Sequence, residues 1–280
     1  MVLAVNYWKM NGLGNDFVVL DGRGAPLPIT PHHVRAIANR NTGIGCDQII
    51  ILSDARVTDL FMHIWNADGT GASACGNATR CVARLIMQEK DKDDASIETS
   101  AGQLFATNVG QDVRVDMGLP HFDWASIPLA ENQDTLHVNH ATLPLGDGVA
   151  VNVGNPHIVF FVDNVETVSL ENLGPQIETS PLFPKRVNVN IAQVLSPGRI
   201  RLRVWERGTG ITKACGTGAM ASAVAGIRRG LLTSPVTVSL DGGDLQIEWQ
   251  DGEHVFMTGP TEIDPQAALN LDDFAQEERS

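Results

Sequence analysis

The sequence predicts an α+β protein of two homologous domains related by a pseudo-two-fold axis, and three observations carry that prediction. The chain has 280 residues, 43% of them hydrophobic, which is enough for more than one sizeable core. Short matches recur along it at one fixed offset of 140 residues, as an internal duplication would leave them. Strand-like stretches lie between those matches, and the clearest helical spacing starts at two cysteines that are themselves one offset apart.

The matches run in the same order in both halves. Gly14-Asn15 with Phe17-Val18-Val19 answers Gly154-Asn155 with His157-Ile158-Val159, and Trp65 answers Trp205. Ala74-Cys75-Gly76 answers Ala214-Cys215-Gly216, and Val115, Met117 and Pro120 answer Val255, Met257 and Pro260. No gap is expected between these anchors. The first domain is read as 1–120, with the acidic segment 262–280 free to return to it, and the second as 121–261. Duplicated halves of this kind pack about a two-fold axis, so Cys75 and Cys215 are expected to face each other across a cleft.

The elements follow from local pattern. Thr30 as cap and Pro31 at the first helical position start a helix over 31–39. Apolar or alternating runs predict strands over 47–52, 60–65, 157–162 and 199–204. After Cys75-Gly76-Asn77, residues Ala78, Val82, Leu85 and Ile86 recur at helical spacing. The same holds for Ala219, Met220, Ala223, Val224 and Ile227 after Cys215-Gly216-Thr217. Each cysteine therefore heads a helix. The exposed amides and partial positive charge of a helix start favour a bound carboxylate and a thiolate.

Composition excludes several function classes. Acidic residues outnumber basic ones, 33 to 20, for a net charge of −13, and there is no lysine or arginine run. Nucleic acid and anionic membrane are poor partners for such a surface, so the expected partner is a small molecule; a homodimer is compatible with the sequence. Four cysteines without a CxxC pair do not make a disulfide scaffold or a zinc ribbon, and no metal is expected. A reduced, cytoplasmic setting fits. With no basic leader and no apolar run near the roughly 18 residues of a membrane span, the chain is expected to be neither exported nor embedded.

Two symmetric helix-start thiols suit a reaction with near mirror symmetry, in which a proton leaves one face of a carbon and another arrives on the opposite face. One cysteine serves as thiolate base and the other as thiol acid. Amides of Gly76, Asn77, Gly216 and Thr217 could hold a carboxylate and spread the charge developing beside it. Gly12-Leu13-Gly14 precedes a strand-like run, so it is a poor dinucleotide loop, and no phosphate-loop lysine follows a glycine cluster. No cofactor is expected. Cys46 and Cys81 read as small core residues. Asn155 and His157 stand where the first half has Asn15 and Phe17, and Glu206 where it has Asn66, so the halves differ in polar equipment.

On these residues the chain resembles the diaminopimelate epimerase family nearly end to end. The motifs are Gly12-Leu13-Gly14-Asn15-Asp16-Phe17, Thr42-Gly43-Ile44-Gly45 with Asp47-Gln48, Asn66-Ala67-Asp68-Gly69, Cys75-Gly76-Asn77, Gly154-Asn155-Pro156-His157, Glu206-Arg207-Gly208 and Ala214-Cys215-Gly216-Thr217-Gly218. The resemblance implies cofactor-independent epimerisation of LL-2,6-diaminopimelate to the meso isomer, in lysine and peptidoglycan precursor synthesis. It implies that Cys75 and Cys215 are the acid/base pair and that His157 and Glu206 tune them. Asn15, Gln48, Asn66, Gly76, Asn77, Asn155, Asn188, Glu206, Arg207, Gly216 and Thr217 would bind substrate. Each domain would be a curved, mostly antiparallel sheet wrapped around a central helix.

Departures from the family pattern are local: Ala78 and Met220 stand where smaller residues are frequent, Ile211 where glutamate is common, and Cys46 where phenylalanine is usual. Ile211 lies near enough to Glu206 to bear on the tuning of the second thiol. Rival readings are a proline or hydroxyproline racemase, in which a histidine typically follows the first Cys-Gly where this chain has Asn77, a phenazine-pathway isomerase, and a thiol redox protein.

Overall fold

The computed structural model describes residues 4–275. The chain divides into two compact units, one within Met1–Val115 and Pro260–Ser280, the other Asp116–Gly259. These breaks fall a few residues before those drawn from the sequence.

In the first unit, β1 (Ala4–Gly12) and β2 (Asn15–Asp21) form a hairpin, followed by α1 (Pro31–Ala38), β3 (Gln48–Ser53), β4 (Leu60–Asn66), the short β5 (Gly71–Ala72) and α2 (Gly76–Lys90). Strands β6 (Asp94–Thr99), β7 (Gly102–Val109) and β8 (Asp112–Asp116) complete the run. β2 pairs parallel with β3, β3 antiparallel with β4, β4 parallel with β6, and β6 antiparallel with β7. β3 is a β-branched run, Ile49-Ile50-Ile51, buried on both faces, the pattern of a strand covered on each side. Val18, Leu20, Ile49 and Ile51 pack with Val34 and Ile37 of α1. By strand alternation Phe17 and Ile50 point to the opposite face.

The second unit repeats this plan. β9 (Val149–Asn152), β10 (Pro156–Phe161), α3 (Leu170–Glu178), β11 (Asn188–Ser196), β12 (Arg199–Glu206), β13 (Gly210–Thr212), α4 (Gly216–Arg228), β14 (Val236–Leu240), β15 (Gly243–Glu248) and β16 (Phe256–Pro260) follow in order. The duplication holds at the level of register. Phe17 opposes Gln48 as His157 opposes Asn188, Ile49 opposes Trp65 as Val189 opposes Trp205, and Ile64 opposes Ala72 as Val204 opposes Thr212. One correction to the gap-free repeat appears beyond the helices. Leu60 pairs with Ile97, but Ile200 with Val238, so the second half carries one more residue in the connection from α4 to β14, where loops absorb insertions.

Helix α4 contacts β9, β10, β11, β12, β14 and β15, and nearly every residue from Gly216 to Gly226 is buried. A helix buried all round is a core element, and the sheet of this unit wraps it. α2 is buried likewise from Gly76 to Ala83 and packs on β1, β6 and β7. The chain then returns to the first unit, where β17 (Glu262–Ile263) and β18 (Ala267–Asn270) pair antiparallel with β1. Sequence reading missed α3: its Gly174-Pro175 pair reads as a helix breaker. Gly174 is required there because a Cβ would sit 2.5 Å from the Trp205 ring.

Candidate active site

Both predicted thiols occupy the N-cap of a buried central helix, Cys75 of α2 and Cys215 of α4. Their backbones are extended, so the chain enters each helix along a strand-like path and turns at the cysteine. Helix geometry leaves the amides of the first turn without intrahelical acceptors; the first such bonds run from Thr79 N to Cys75 O and from Ala219 N to Cys215 O. Gly76, Asn77, Gly216 and Thr217 are the first residues of the two helices.

In the first unit, Leu13 and Gly14 form a two-residue turn with φ of 61° and 82°, the left-handed pair that a tight hairpin demands. This turn presents Asn15. The Asn15 Nδ2 donates to Asp47 Oδ2 at 2.9 Å, and Arg40 clamps Asp47 and Asp16 from outside. With Nδ2 so held, Asn15 Oδ1 faces the site, 3.9 Å from Cys75 Sγ and 3.4 Å from Asn77 Nδ2. Gln48 Nε2 donates to Asn66 Oδ1 at 3.0 Å, and Asn66 Nδ2 to Thr70 Oγ1. Among the described residues, Gln48 Oε1 and Asn77 Oδ1 are buried acceptors with no hydrogen-bond partner. Buried acceptors left open in this way suit a ligand that brings donors, such as an ammonium group.

In the second unit, Gly218 N donates to Cys215 Sγ at 3.3 Å and Thr217 Oγ1 lies 3.5 Å from it. Even so, burial, followed by the nearby Glu206 carboxylate, pushes the Cys215 thiol well above its usual range. The expectation that a helix start favours the thiolate is thus outweighed here: desolvation and a like charge both penalise the anion. Glu206 accepts from Thr212 Oγ1. Ile211 opposes Trp205 in the strand pair and is 38% exposed, so the departure there falls one residue away from the Glu206 contact.

His157 is fully buried. Asn190 Nδ2 donates to its Nδ1 at 3.0 Å and also to Ile158 O, while Nε2 lies 2.8 Å from Asn155 Oδ1. With Nδ1 accepting, the proton belongs on Nε2, and the ring is neutral: burial lowers its pKa to about 3. Asn155 Nδ2 donates to Thr217 Oγ1 at 3.3 Å, linking this chain of groups to the start of α4. Asn188 is used at both ends by backbone, donating to Pro156 O and accepting from Arg207 N. Arg207 is exposed, with Nη1 bonded to Lys185 O.

Two groups here escaped the sequence reading. Glu178 on α3 is buried and accepts from Trp205 Nε1 at 2.7 Å and Gly208 N at 2.9 Å, anchoring the turn that carries Arg207. Asn190 could have been found, since Val187-Asn188-Val189-Asn190-Ile191 alternates polar with apolar residues in a buried strand. Of the remaining cysteines, Cys46 and Cys81 are core residues, each pushed up to about 12 chiefly by burial. Among the described residues there is no cluster of potential metal ligands and no helix long and apolar enough to cross a membrane.

A protein from Sphingopyxis alaskensis named diaminopimelate epimerase is 55% identical over 92% of this chain and 94% of its own. One of the same name from Rhizorhabdus wittichii is 50% identical over 99% and 100%. Among solved structures, a probable proline racemase from Agrobacterium radiobacter superposes with a TM-score of 0.68 at 17% identity, covering 97% of this chain and 94% of that one. A PhzF-family phenazine biosynthesis protein from Bacillus anthracis gives 0.67 at 15%, covering 95% and 99%. These two share the fold. The diaminopimelate epimerase sequence model matches residues 7–122 and 149–263, so the chain belongs to the diaminopimelate epimerase family.

Proposed function

We propose that this chain interconverts LL-2,6-diaminopimelate and the meso isomer without a cofactor, by a two-base mechanism in which Cys75 and Cys215 are base and acid. The observation that carries the reading is the matched placement of the thiols, each at the N-cap of its unit's central helix. A thiolate removes the α-proton from one face of the carbon, and the other thiol delivers its own proton to the opposite face; the roles exchange in reverse. The substrate carboxylate rests on amides of Gly76, Asn77, Gly216 and Thr217, which take up charge as the α-carbon becomes carbanion-like. Asn15, Gln48, Asn66, Asn77, Asn155 and Arg207 bind the rest of a zwitterionic ligand, with Arg207 at the non-reacting end. Asn188 acts by bracing Arg207. His157 and Glu206 set the protonation of the second thiol. We place this reaction in the cytoplasm, in lysine and peptidoglycan precursor synthesis, with no nucleic-acid or membrane partner.

The test is incubation with LL-diaminopimelate in deuterated water. The meso isomer should appear with deuterium at one α-carbon, and Cys75→Ala and Cys215→Ala should each abolish both signals. Absence of both signals in the unaltered protein, or full turnover in either variant, sinks the reading.

A further inference from the structure

The duplication allows a comparison of what the two units bury beside their central helices. His157 and Asn190 stand one repeat from Phe17 and Ile50, and all of these side chains are 0% exposed. The register agrees, since Val159 opposes Asn190 as Val19 opposes Ile50. The fold therefore accepts an apolar pair where the second unit carries a polar one. Buried polar groups are costly unless their bonds are made, and among the described residues Asn190 Oδ1 is left without a hydrogen-bond partner. A polar pair kept under that penalty calls for a use.

Its bonds run in one direction, and a backbone carbonyl sets it. Ile158 O can only accept, so the group 3.1 Å from it is Asn190 Nδ2; the reverse placement of the amide would set oxygen against oxygen. The same Nδ2 lies 3.0 Å from His157 Nδ1, which must accept, and the neutral ring then carries its proton on Nε2. Nε2 donates to Asn155 Oδ1 at 2.8 Å. That leaves Asn155 Nδ2 to donate to Thr217 Oγ1 at 3.3 Å. A hydroxyl that accepts there keeps its own hydrogen for another acceptor, and Cys215 Sγ lies 3.5 Å away. These groups form one polarised chain from a β10 carbonyl to the sulfur, all within the second unit.

Asn190 also meets the first turn of α4 directly. A Cβ on residue 218 would stand 2.7 Å from Asn190 Oδ1, 3.0 Å from Val204 Cγ2 and 3.3 Å from Cys215 Sγ. Gly218 thus lets the amide, the turn and the sulfur come together, and its own N–H is a second donor to that sulfur at 3.3 Å. The first unit, with Ile50 in place of the amide, carries Ala78 at the matching position. The charged groups bearing on the chain are Glu206, beside the sulfur from β12, and Arg207, which works against a charged His157.

We propose that Asn190 is a positioning residue for Cys215: by holding the proton of His157 on Nε2 it orients every bond that follows, so that the Thr217 hydroxyl donates to the sulfur. That donor favours the thiolate that Cys215 needs when it acts as base, and it opposes burial and Glu206. His157 serves as a neutral link that passes on an orientation. This deepens the two-base reading and rests on it.

The experiment uses the full-length protein. Nitrogen NMR with labelled histidine reports which ring nitrogen of His157 carries the proton, and His157→Phe identifies the signal. The expected form is neutral and protonated on Nε2. In Cys75→Ala, alkylation of Cys215 by iodoacetamide is followed against pH by mass spectrometry of its peptide; the midpoint is the readout, since absolute rates also reflect access. Asn190→Asp keeps the shape but, once ionised at the alkaline pH of this titration, replaces the donor by an acceptor. The proton of His157 should move to Nδ1, the Asn155 amide should turn over, and the Thr217 hydroxyl should point at Asn155 instead of the sulfur. The Cys215 midpoint should then rise by about one unit, about a tenfold loss of thiolate below the midpoint. A carboxylate at position 190 also acts through its charge, so the substitution is repeated with Thr217→Val, where the rise should fall to less than about half. A parent ring protonated on Nδ1, or charged at neutral pH, overturns the proposal without any variant at position 190. So does a Cys215 midpoint that stays or falls in Asn190→Asp, or a rise that survives undiminished with Thr217→Val. Neither measurement needs substrate, so a protein that behaves as expected here but exchanges no deuterium refutes the epimerase reading and leaves the orientation of the chain standing.

Discussion

Gly174→Ala tests whether a core contact remote from the thiols governs the Arg207 turn. A Cβ at residue 174 would lie 2.5, 2.6 and 2.8 Å from Trp205 Cδ2, Cγ and Cε3, separations that force the ring to move. The ring is not free to do so cheaply. It packs against the core built from Ile158, Phe160, Leu170, Ile177, Val189 and Ile191, and its Nε1 is bonded to Glu178. Overpacking costs about 1–3 kcal/mol, and disturbing a bond to a buried carboxylate adds about 1.5–3 kcal/mol. Alanine in place of a helical glycine returns about 1 kcal/mol. The net expectation is a loss of about 1.5–5 kcal/mol, read as a lower urea midpoint with tryptophan fluorescence. Because Glu178 also accepts from Gly208 N, a displaced ring loosens the Arg207 turn, and KM for diaminopimelate should rise several-fold while kcat changes less. An alanine variant with the parental midpoint and KM would refute the chain of contacts from α3 to Arg207.

Two further outcomes follow from the second unit. His157→Phe installs the residue found at the repeat position, Phe17, and should flatten the acid dependence of stability. The folded histidine resists protonation down to about 3, whereas the unfolded one binds a proton below about 6.5, so its contribution is complete above 6.5 and drains away as pH falls towards 3. The variant loses stability at neutral pH, because Asn190 Nδ2 loses an acceptor, but its slope between pH 6.5 and 3 should be shallower; an unchanged slope in urea titrations counts against the neutral-histidine assignment. Glu206→Gln in a Cys75→Ala background removes the anion beside Cys215, so the alkylation midpoint of Cys215 should fall. It should remain above that of an ordinary thiol because burial is the larger cause, and a midpoint that stays or rises contradicts the role given to Glu206.

The cysteine-headed helices and the strands around them were legible because their signals are local. Hydrophobic spacing after Cys75 and Cys215, a threonine cap before Pro31 and apolar runs such as Ile49-Ile50-Ile51 need no knowledge of distant residues. The duplication was legible because both halves keep the same register, as the pairs Phe17 with Gln48 and His157 with Asn188 demonstrate. What escaped was α3, where Gly174 and Pro175 argue locally against a helix and the Trp205 ring, 31 residues further on, decides the matter.

Sequence alone determined the family, the two cysteine-headed helices and the plan of the fold, since each is written in short contiguous patterns or in their repetition. Tertiary structure decided the electrostatics. Whether a helix start favours a thiolate depends on how deeply the sulfur is buried and on which charges stand beside it, and the Glu206 carboxylate near Cys215 acquires its meaning only when desolvation removes the screening of water. The same holds for Asn188, Asn190 and Glu178, whose roles as braces emerged only when folding set their polar atoms against particular backbone and side-chain partners.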